Sequence, residues 1–162
     1  MTMRIAVLSD THLRIGRSLP KFVWEQLSQL DLILHAGDLT NMELLDELKA
    51  IAPTHAVKGN CDDWDVSLPD QDVIECESFK IGLIHGYTGK GKSTPERAYN
   101  SFENIPVDII VFGHSHVPFM EWRNGILLFN PGSPTDKRRE PQYSFGILEI
   151  RQGQIKAKHL YF

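Results

Sequence analysis

The feature that most constrains this chain is a repeated pattern: a short apolar run that stops abruptly at a residue able to bind a metal or a phosphate. It appears first at Ile5, Ala6, Val7 and Leu8, followed at once by Ser9-Asp10-Thr11-His12. An apolar run of that length, bounded by polar residues, reads as a strand buried on both faces, as in a parallel sheet. The pattern returns at residues 31–36 before Gly37-Asp38, and at 54–58 before Gly59-Asn60-Cys61-Asp62. It recurs at 79–84 before His85-Gly86, and at 108–112 before Gly113-His114-Ser115-His116.

Helical patterns separate the first of these runs. Pro20 opens one, with Phe22, Val23, Leu27 and Leu30 as its apolar stripe. Asn41 is placed to cap a second over 42–51, where Leu44, Leu45, Leu48 and Ile51 share a face and Pro53 ends it. Strand–helix alternation of this kind calls for a parallel sheet with right-handed crossovers. Further strands are expected at 72–76, 119–123 and 126–129, with Asn124-Gly125 as a hairpin turn. Asn130-Pro131-Gly132-Ser133 interrupts, and a last hairpin spans 143–150 and 154–161. A helix is expected over 95–103. No repeat or linker breaks the chain, so residues 1–162 are read as a single α/β domain.

The formal charge of −4 argues against a general binder of polyanions and leaves no strong nucleic-acid signature. Two cysteines, Cys61 and Cys76, are too few for a disulfide framework and suit a reducing compartment. Met1-Thr2-Met3-Arg4 runs straight into a strand without a cleavage pattern, and no stretch has the apolar length of a membrane span. The expectation is a cytoplasmic protein away from membranes; a homo-oligomer stays open.

Ligand sites in α/β sheets gather beyond the C-terminal ends of parallel strands. Asp10, His12, Asp38, Asn60, His85, His114 and His116 all occupy that position. Loops at one sheet edge converge, so residues far apart in sequence are candidates for one cluster. Carboxylates and imidazoles suit manganese, iron, nickel, zinc or cobalt. A carboxylate bridges two such ions well, and Asp38 lies centrally in the set. Asp38 and Asn60 as ordinary turn residues, with His114 or His116 as a loop histidine, is the bland alternative; the shared position of the whole set decides against it.

These blocks, Asp10-Thr11-His12, Gly37-Asp38, Gly59-Asn60-Cys61-Asp62, His85-Gly86 and Gly113-His114-Ser115-His116, resemble the calcineurin-like metallophosphoesterase superfamily, in the family's order. With Asn130-Pro-Gly-Ser133 and the chain length, the sequence is most similar to the small bacterial and archaeal phosphodiesterase branch, which also includes a retromer scaffold subunit. The resemblance implies a four-layer α/β/β/α sandwich of two mixed sheets, with the metal site at the strand C-terminal edge. It implies two divalent transition-metal ions, manganese first, with nickel, iron, zinc or cobalt as alternatives. One would take Asp10, His12, Asp38 and His116; the other would take Asp38, Asn60, His85 and His114. Two such ions would activate a water to attack phosphorus, with a small phosphodiester or other phosphate ester as substrate. Asp38, Asn60, Cys61 and Asp62 are the implied catalytic residues, Asp62 by orienting its neighbours.

Two positions depart from the family pattern. Many members carry His where this chain has Cys61, and small relatives often read His-Gly-His where Tyr87 follows Gly86. The first change removes the usual proton donor to the leaving group. Two other readings compete. Residues 86–93 fit G-x-x-x-x-G-K-S, which after a strand and before a helix suggests a P-loop NTPase; Pro95 and the prior claim of His85 weigh against it, and a flexible basic rim is preferred. The retromer relative suggests a non-catalytic protein-binding scaffold, against which stands the complete donor set. Arg138 and Arg139 match phosphate chemistry but read equally as a solvated loop. Trp24, Trp64 and Trp122, and His35, His55 and His159, read as structural.

Overall fold

The apolar runs sort into two groups, each of which forms its own sheet. In this computed structural model, which describes residues 1–62 and 67–162, the first sheet has the order β10-β9-β1-β2-β3. Its strands are β1 (Thr2–Leu8), β2 (Leu32–His35), β3 (Thr54–Ala56), β9 (Ser144–Arg151) and β10 (Gln154–Tyr161). The second has the order β4-β5-β6-β8-β7, from β4 (Gln71–Cys76), β5 (Phe79–Ile84), β6 (Ile109–Val111), β7 (Phe119–Arg123) and β8 (Ile126–Asn130). Each sheet is mixed. β1, β2 and β3 are mutually parallel, as are β5, β6 and β8, while the remaining strands pair antiparallel.

Alternation along these strands sends one set of side chains between the sheets and the other outward. Ile5, Val7, Leu34, Ile81, Leu83, Val111, Phe129 and Leu148 fill the space between them. Ala6, Leu8, Ile33 and Ile147 face outward beneath α1 (Lys21–Leu27) and α2 (Met42–Ile51), through Val23, Leu27, Leu44 and Leu48. Ile84, Ile110, Phe112 and Leu128 meet Ala98 and Phe102 at α3 (Thr94–Ser101). Helices on the outer faces of two packed sheets give the expected four-layer α/β/β/α sandwich. No described helix is long and apolar enough to cross a membrane.

Local chemistry sets the boundaries. Asn41 caps α2 by accepting the Leu44 N–H. The Asn124-Gly125 turn has φ of +50° and +78°, the doubly left-handed geometry of a tight hairpin, and joins Arg123 to Ile126. β3 is shorter than expected: Val57 N–H still reaches His35 O, but Lys58 N–H turns to Pro69 O at 2.8 Å and leaves the sheet. α3 begins one residue early because Ser93 accepts the Glu96 N–H, and Pro95 falls in the first turn, where its missing N–H costs nothing. Trp64 lies outside the described residues. Trp24 bonds Ser18 Oγ, whereas Trp122 is exposed on β7.

Candidate metal centre

Every residue of the expected cluster leaves a strand at the same edge of the sandwich, and the backbone there is unusual. Asp10, His12, Asp38, His114 and His116 have φ between +45° and +70°. Residues with a Cβ pay about 1–2 kcal/mol for this left-handed conformation, so neighbouring contacts must impose it. Several do. Ser133 Oγ donates to Asp10 O at 2.8 Å, and Thr135 Oγ1 donates to Thr11 O. Asn130 Nδ2 donates to Gly113 O and to Ser115 Oγ, both at 3.0 Å. The Asn130-Pro-Gly-Ser133 segment thus ties the loop after β1 to the loop after β6. The sequence marked that segment only as an interruption and through the resemblance, so its clamping role went unread.

Asp62 holds the other side. Its buried carboxylate accepts N–H bonds from Asp38 at 2.7 Å, Gly59 at 3.0 Å, Thr40 at 3.0 Å and Leu39 at 3.3 Å. Cys61 N–H in turn donates to Asp38 Oδ1 at 2.8 Å. The approach is so close that a Cβ on Gly59 would collide with the Asp38 carboxylate, and one on Gly37 would lie 2.7 Å from His85 Nδ1. His35 supports the same loop from beneath. Its Nδ1 accepts the Gly37 N–H at 3.1 Å, which leaves Nε2 to face Thr11 Oγ1 at 3.1 Å. Complete burial holds that imidazole neutral, with a pKa pushed down to about 3.

The donor atoms then converge. His85 Nδ1 donates to Ala36 O at 2.7 Å, and His116 Nδ1 donates to Asp136 O at 2.6 Å. Both rings therefore turn Nε2 inward, the arrangement that frees a lone pair for a metal. Asp10 Oδ2 is used by Ser9 Oγ and His114 N–H, while Oδ1 points at His116, His12 and His85, with Nε2 at 3.6, 3.8 and 3.8 Å. Asp38 Oδ2 lies 3.2 Å from His85 Nε2 and 3.4 Å from His12 Nε2. Asn60 Oδ1 faces His85 Nε2 at 2.9 Å and His114 Nδ1 at 3.2 Å. All the residues expected from sequence are thus brought together, Asp10 as centrally as Asp38.

Burial opposes charge at Asp38, but the hydrogen bond and charge of His85 and the Cys61 N–H outweigh it and hold its pKa at about 2. At Asp10 burial is likewise overcome by His12, His85 and His116, and its pKa falls. Burial disfavours the charged forms of His12 and His85, yet the two carboxylates raise both. His114, with burial and the neighbouring His85 against it, is lowered. Burial and the nearby carboxylates raise the Cys61 thiol. Asp10 Oδ1, His12 Nε2 and His116 Nε2 are buried with no hydrogen-bond partner among the described residues. Buried polar atoms left unpaired and facing one another are costly unless a cation sits between them, so the residues present fit a divalent metal.

Residues 86–93 do not form a phosphate cradle. Lys92 N–H is taken by the Glu96 carboxylate at 2.9 Å, while Arg97 and Asn100 side chains bond Gly86 O and Lys90 O. These bonds join the loop to α3. Arg138 and Arg139 line a cavity of about 220 Å³ with Ser115, Val117, Lys137 and Glu140. A larger groove of about 830 Å³ opens beside His12, with Arg14, Arg17, Tyr143 and Phe162 on its walls.

A two-sheet sandwich carrying carboxylate, imidazole and carboxamide donors at one strand edge defines a metal-dependent phosphoesterase. Residues 3–153 match the calcineurin-like phosphoesterase superfamily domain, and the chain belongs to that superfamily. It is 43% identical over 138 residues to a probable metallophosphoesterase of Methanocaldococcus jannaschii, covering 85% of this chain and 71% of that one. A probable metallophosphoesterase of Methanothermobacter thermautotrophicus is 40% identical over 138 residues, 84% of this chain and 80% of that one. Among solved structures, wild-type Vps29 of Entamoeba histolytica complexed with Zn²⁺ is similar, with a TM-score of 0.79 and 27% identity over 98% of this chain and 99% of that one.

Proposed function

We propose that this protein hydrolyses phosphodiesters using two divalent metal ions. The observation that carries the reading is the set of buried atoms Asp10 Oδ1, His12 Nε2 and His116 Nε2, unpartnered among the described residues, which face one another and call for a cation. Asp10, His12, Asp38 and His116 would hold one ion, and Asp38, Asn60, His85 and His114 the other, with the Asp38 carboxylate shared. Manganese is the expected occupant, with nickel, iron, zinc and cobalt as alternatives. When bound, such a pair supplies a hydroxide nucleophile near neutral pH and neutralises the phosphoryl oxygens.

The remaining work falls to the chain itself. Asp62 fixes the backbone that carries Asp38 and Cys61. The groove beside His12 offers the Arg14 and Arg17 guanidinium groups to an anionic ester and the Tyr143 and Phe162 rings to one of its alcohols. Cys61, exposed at the rim, replaces the usual imidazole as the group nearest the departing oxygen. A thiol is a weak hydrogen-bond donor and a poor acid at neutral pH. Rates are therefore expected to rise steeply with leaving-group acidity, and diesters to be preferred over monoesters. Two free thiols fit a reducing compartment, which supports a cytoplasmic location.

A panel of aryl and alkyl diesters and monoesters, assayed with added Mn²⁺, tests this. Aryl diesters are expected to react fastest; faster turnover of alkyl monoesters contradicts the reading. A second reading, a protein-binding scaffold, is favoured by the likeness to Vps29 and by Met120, Trp122 and Tyr161, exposed on edge strands β7 and β10. It replaces the first if the purified protein binds no divalent ion.

A further inference from the structure

Cys61 reaches the donor cluster itself. Its Sγ, a His12 ring nitrogen and an Asp38 carboxylate oxygen all fall within 4.8 Å of one another. The same pocket receives Asp10 Oδ1, from a side chain with no exposed surface, which has no hydrogen-bond partner among the described residues and lies 3.8 Å from His12 Nε2. The thiol is carried by a fixed backbone. Asp62 ties Gly59 to Asp38, and Cys61 N–H is bonded to Asp38 Oδ1. Only rotation about its own Cα–Cβ bond remains to bring sulfur toward or away from His12. The hydrogen bond it accepts from Asn60 Nδ2, at 3.6 Å, is too weak to prevent that.

We propose that Cys61 is a conditional metal ligand, completing the His12–Asp38 side of the centre for thiophilic divalent ions and staying uncoordinated when Mn²⁺ is bound. The proposal rests on the reading of His12 and Asp38 as ligands. Thiolate is a soft donor that favours zinc, cadmium and cobalt, whereas manganese favours carboxylate, carbonyl and water. On coordination the S–H bond breaks, its electron pair forms the sulfur–metal bond, and the proton passes to solvent; nothing is oxidised or reduced. The residue would thereby make the centre discriminate between ions that an Asp/His/Asn set alone separates poorly. It also separates two states of the protein, one with a free thiol at the rim and one without.

The test uses metal-free full-length protein titrated with Co²⁺, Cd²⁺ or Mn²⁺. Co²⁺ and Cd²⁺ are expected to raise a sulfur-to-metal charge-transfer absorption in the near ultraviolet. Cys61→Ser should abolish it, and Cys76→Ser, at a buried site in the core between the sheets, should leave it. Cys61→Ser should also weaken Cd²⁺ binding about tenfold or more while changing Mn²⁺ binding by less than about twofold. In the wild type, Cd²⁺ should protect Cys61 from alkylation by iodoacetamide and Mn²⁺ should not. Bound Cd²⁺ without the absorption, or absorption that survives in Cys61→Ser, overturns the proposal alone, because Mn²⁺ binding would still stand. Binding of neither ion overturns both this proposal and the metal-dependent reading beneath it.

Discussion

Replacing Asp62 separates a clamp from a bystander. Its Oδ2 accepts N–H bonds from Asp38, Gly59 and Leu39, and its Oδ1 accepts one from Thr40. Asp62→Ala leaves those donors facing a cavity, at about 1–3 kcal/mol for each unmet group. Counting only the three bonds of 3.0 Å or less, the loss is about 3–9 kcal/mol, a large share of a typical domain's stability. Asp62→Asn behaves differently. With its carbonyl oxygen at the Oδ2 position it keeps the Asp38, Gly59 and Leu39 bonds and turns an NH₂ toward Thr40 N–H, which costs about 1–2 kcal/mol. Urea unfolding of metal-free protein measures both changes, and Mn²⁺ titration of the folded fraction measures the effect on Asp38. The expected order is wild type, then Asn, then Ala, for stability and for affinity alike. An Ala variant within about 0.5 kcal/mol of wild type, the range of an inert surface change, would refute the clamp.

Other outcomes follow from the same geometry. Asp38→Ala removes the carboxylate between His12 and His85, and should lower Mn²⁺ affinity by about 100-fold or more by calorimetry; a change below about tenfold would argue against a shared ligand. Lys92→Ala should leave diesterase activity nearly unchanged, because its exposed side chain is no part of the donor cluster; loss of a strong ATPase in this variant would restore the P-loop reading. His159 stacks on Phe129 at 4.5 Å and donates to Asn130 O, and burial lowers its pKa below 6.5. The unfolded chain therefore takes up that proton first as pH falls, so stability should decline from about pH 6.5 until the folded imidazole also titrates. His159→Phe should flatten this part of the urea-midpoint profile, and an unchanged slope would contradict the assignment.

The parts of the fold that depend on local pattern were legible in the sequence. Apolar runs gave the strands, Asn41 gave the start of α2, and Asn124-Gly125 gave the hairpin. Where the chain leaves a sheet was less so: Val57 and Lys58 look like strand, and only the distant Pro69 carbonyl shows why β3 ends. The site residues could be named because all follow apolar runs, yet the left-handed backbone of His12, His114 and His116 has no sequence signal. It is imposed by contacts such as Ser133 Oγ to Asp10 O, between residues far apart in the chain. The same distance hid the part played by Asn130 and Thr135. The G-x-x-x-x-G-K-S match, which Pro95 and His85 already disfavour from the sequence, meets a further obstacle outside the motif: Glu96 accepts its Lys92 N–H.

The most direct test of the account is the number of ions that activity requires. Metal-free protein is titrated with Mn²⁺ while bound metal per chain and hydrolysis of an aryl phosphodiester are followed together. Activity is expected to be negligible without metal and to plateau at about two equivalents per chain. Full activity in the presence of excess chelator, or a plateau at one equivalent, would contradict it.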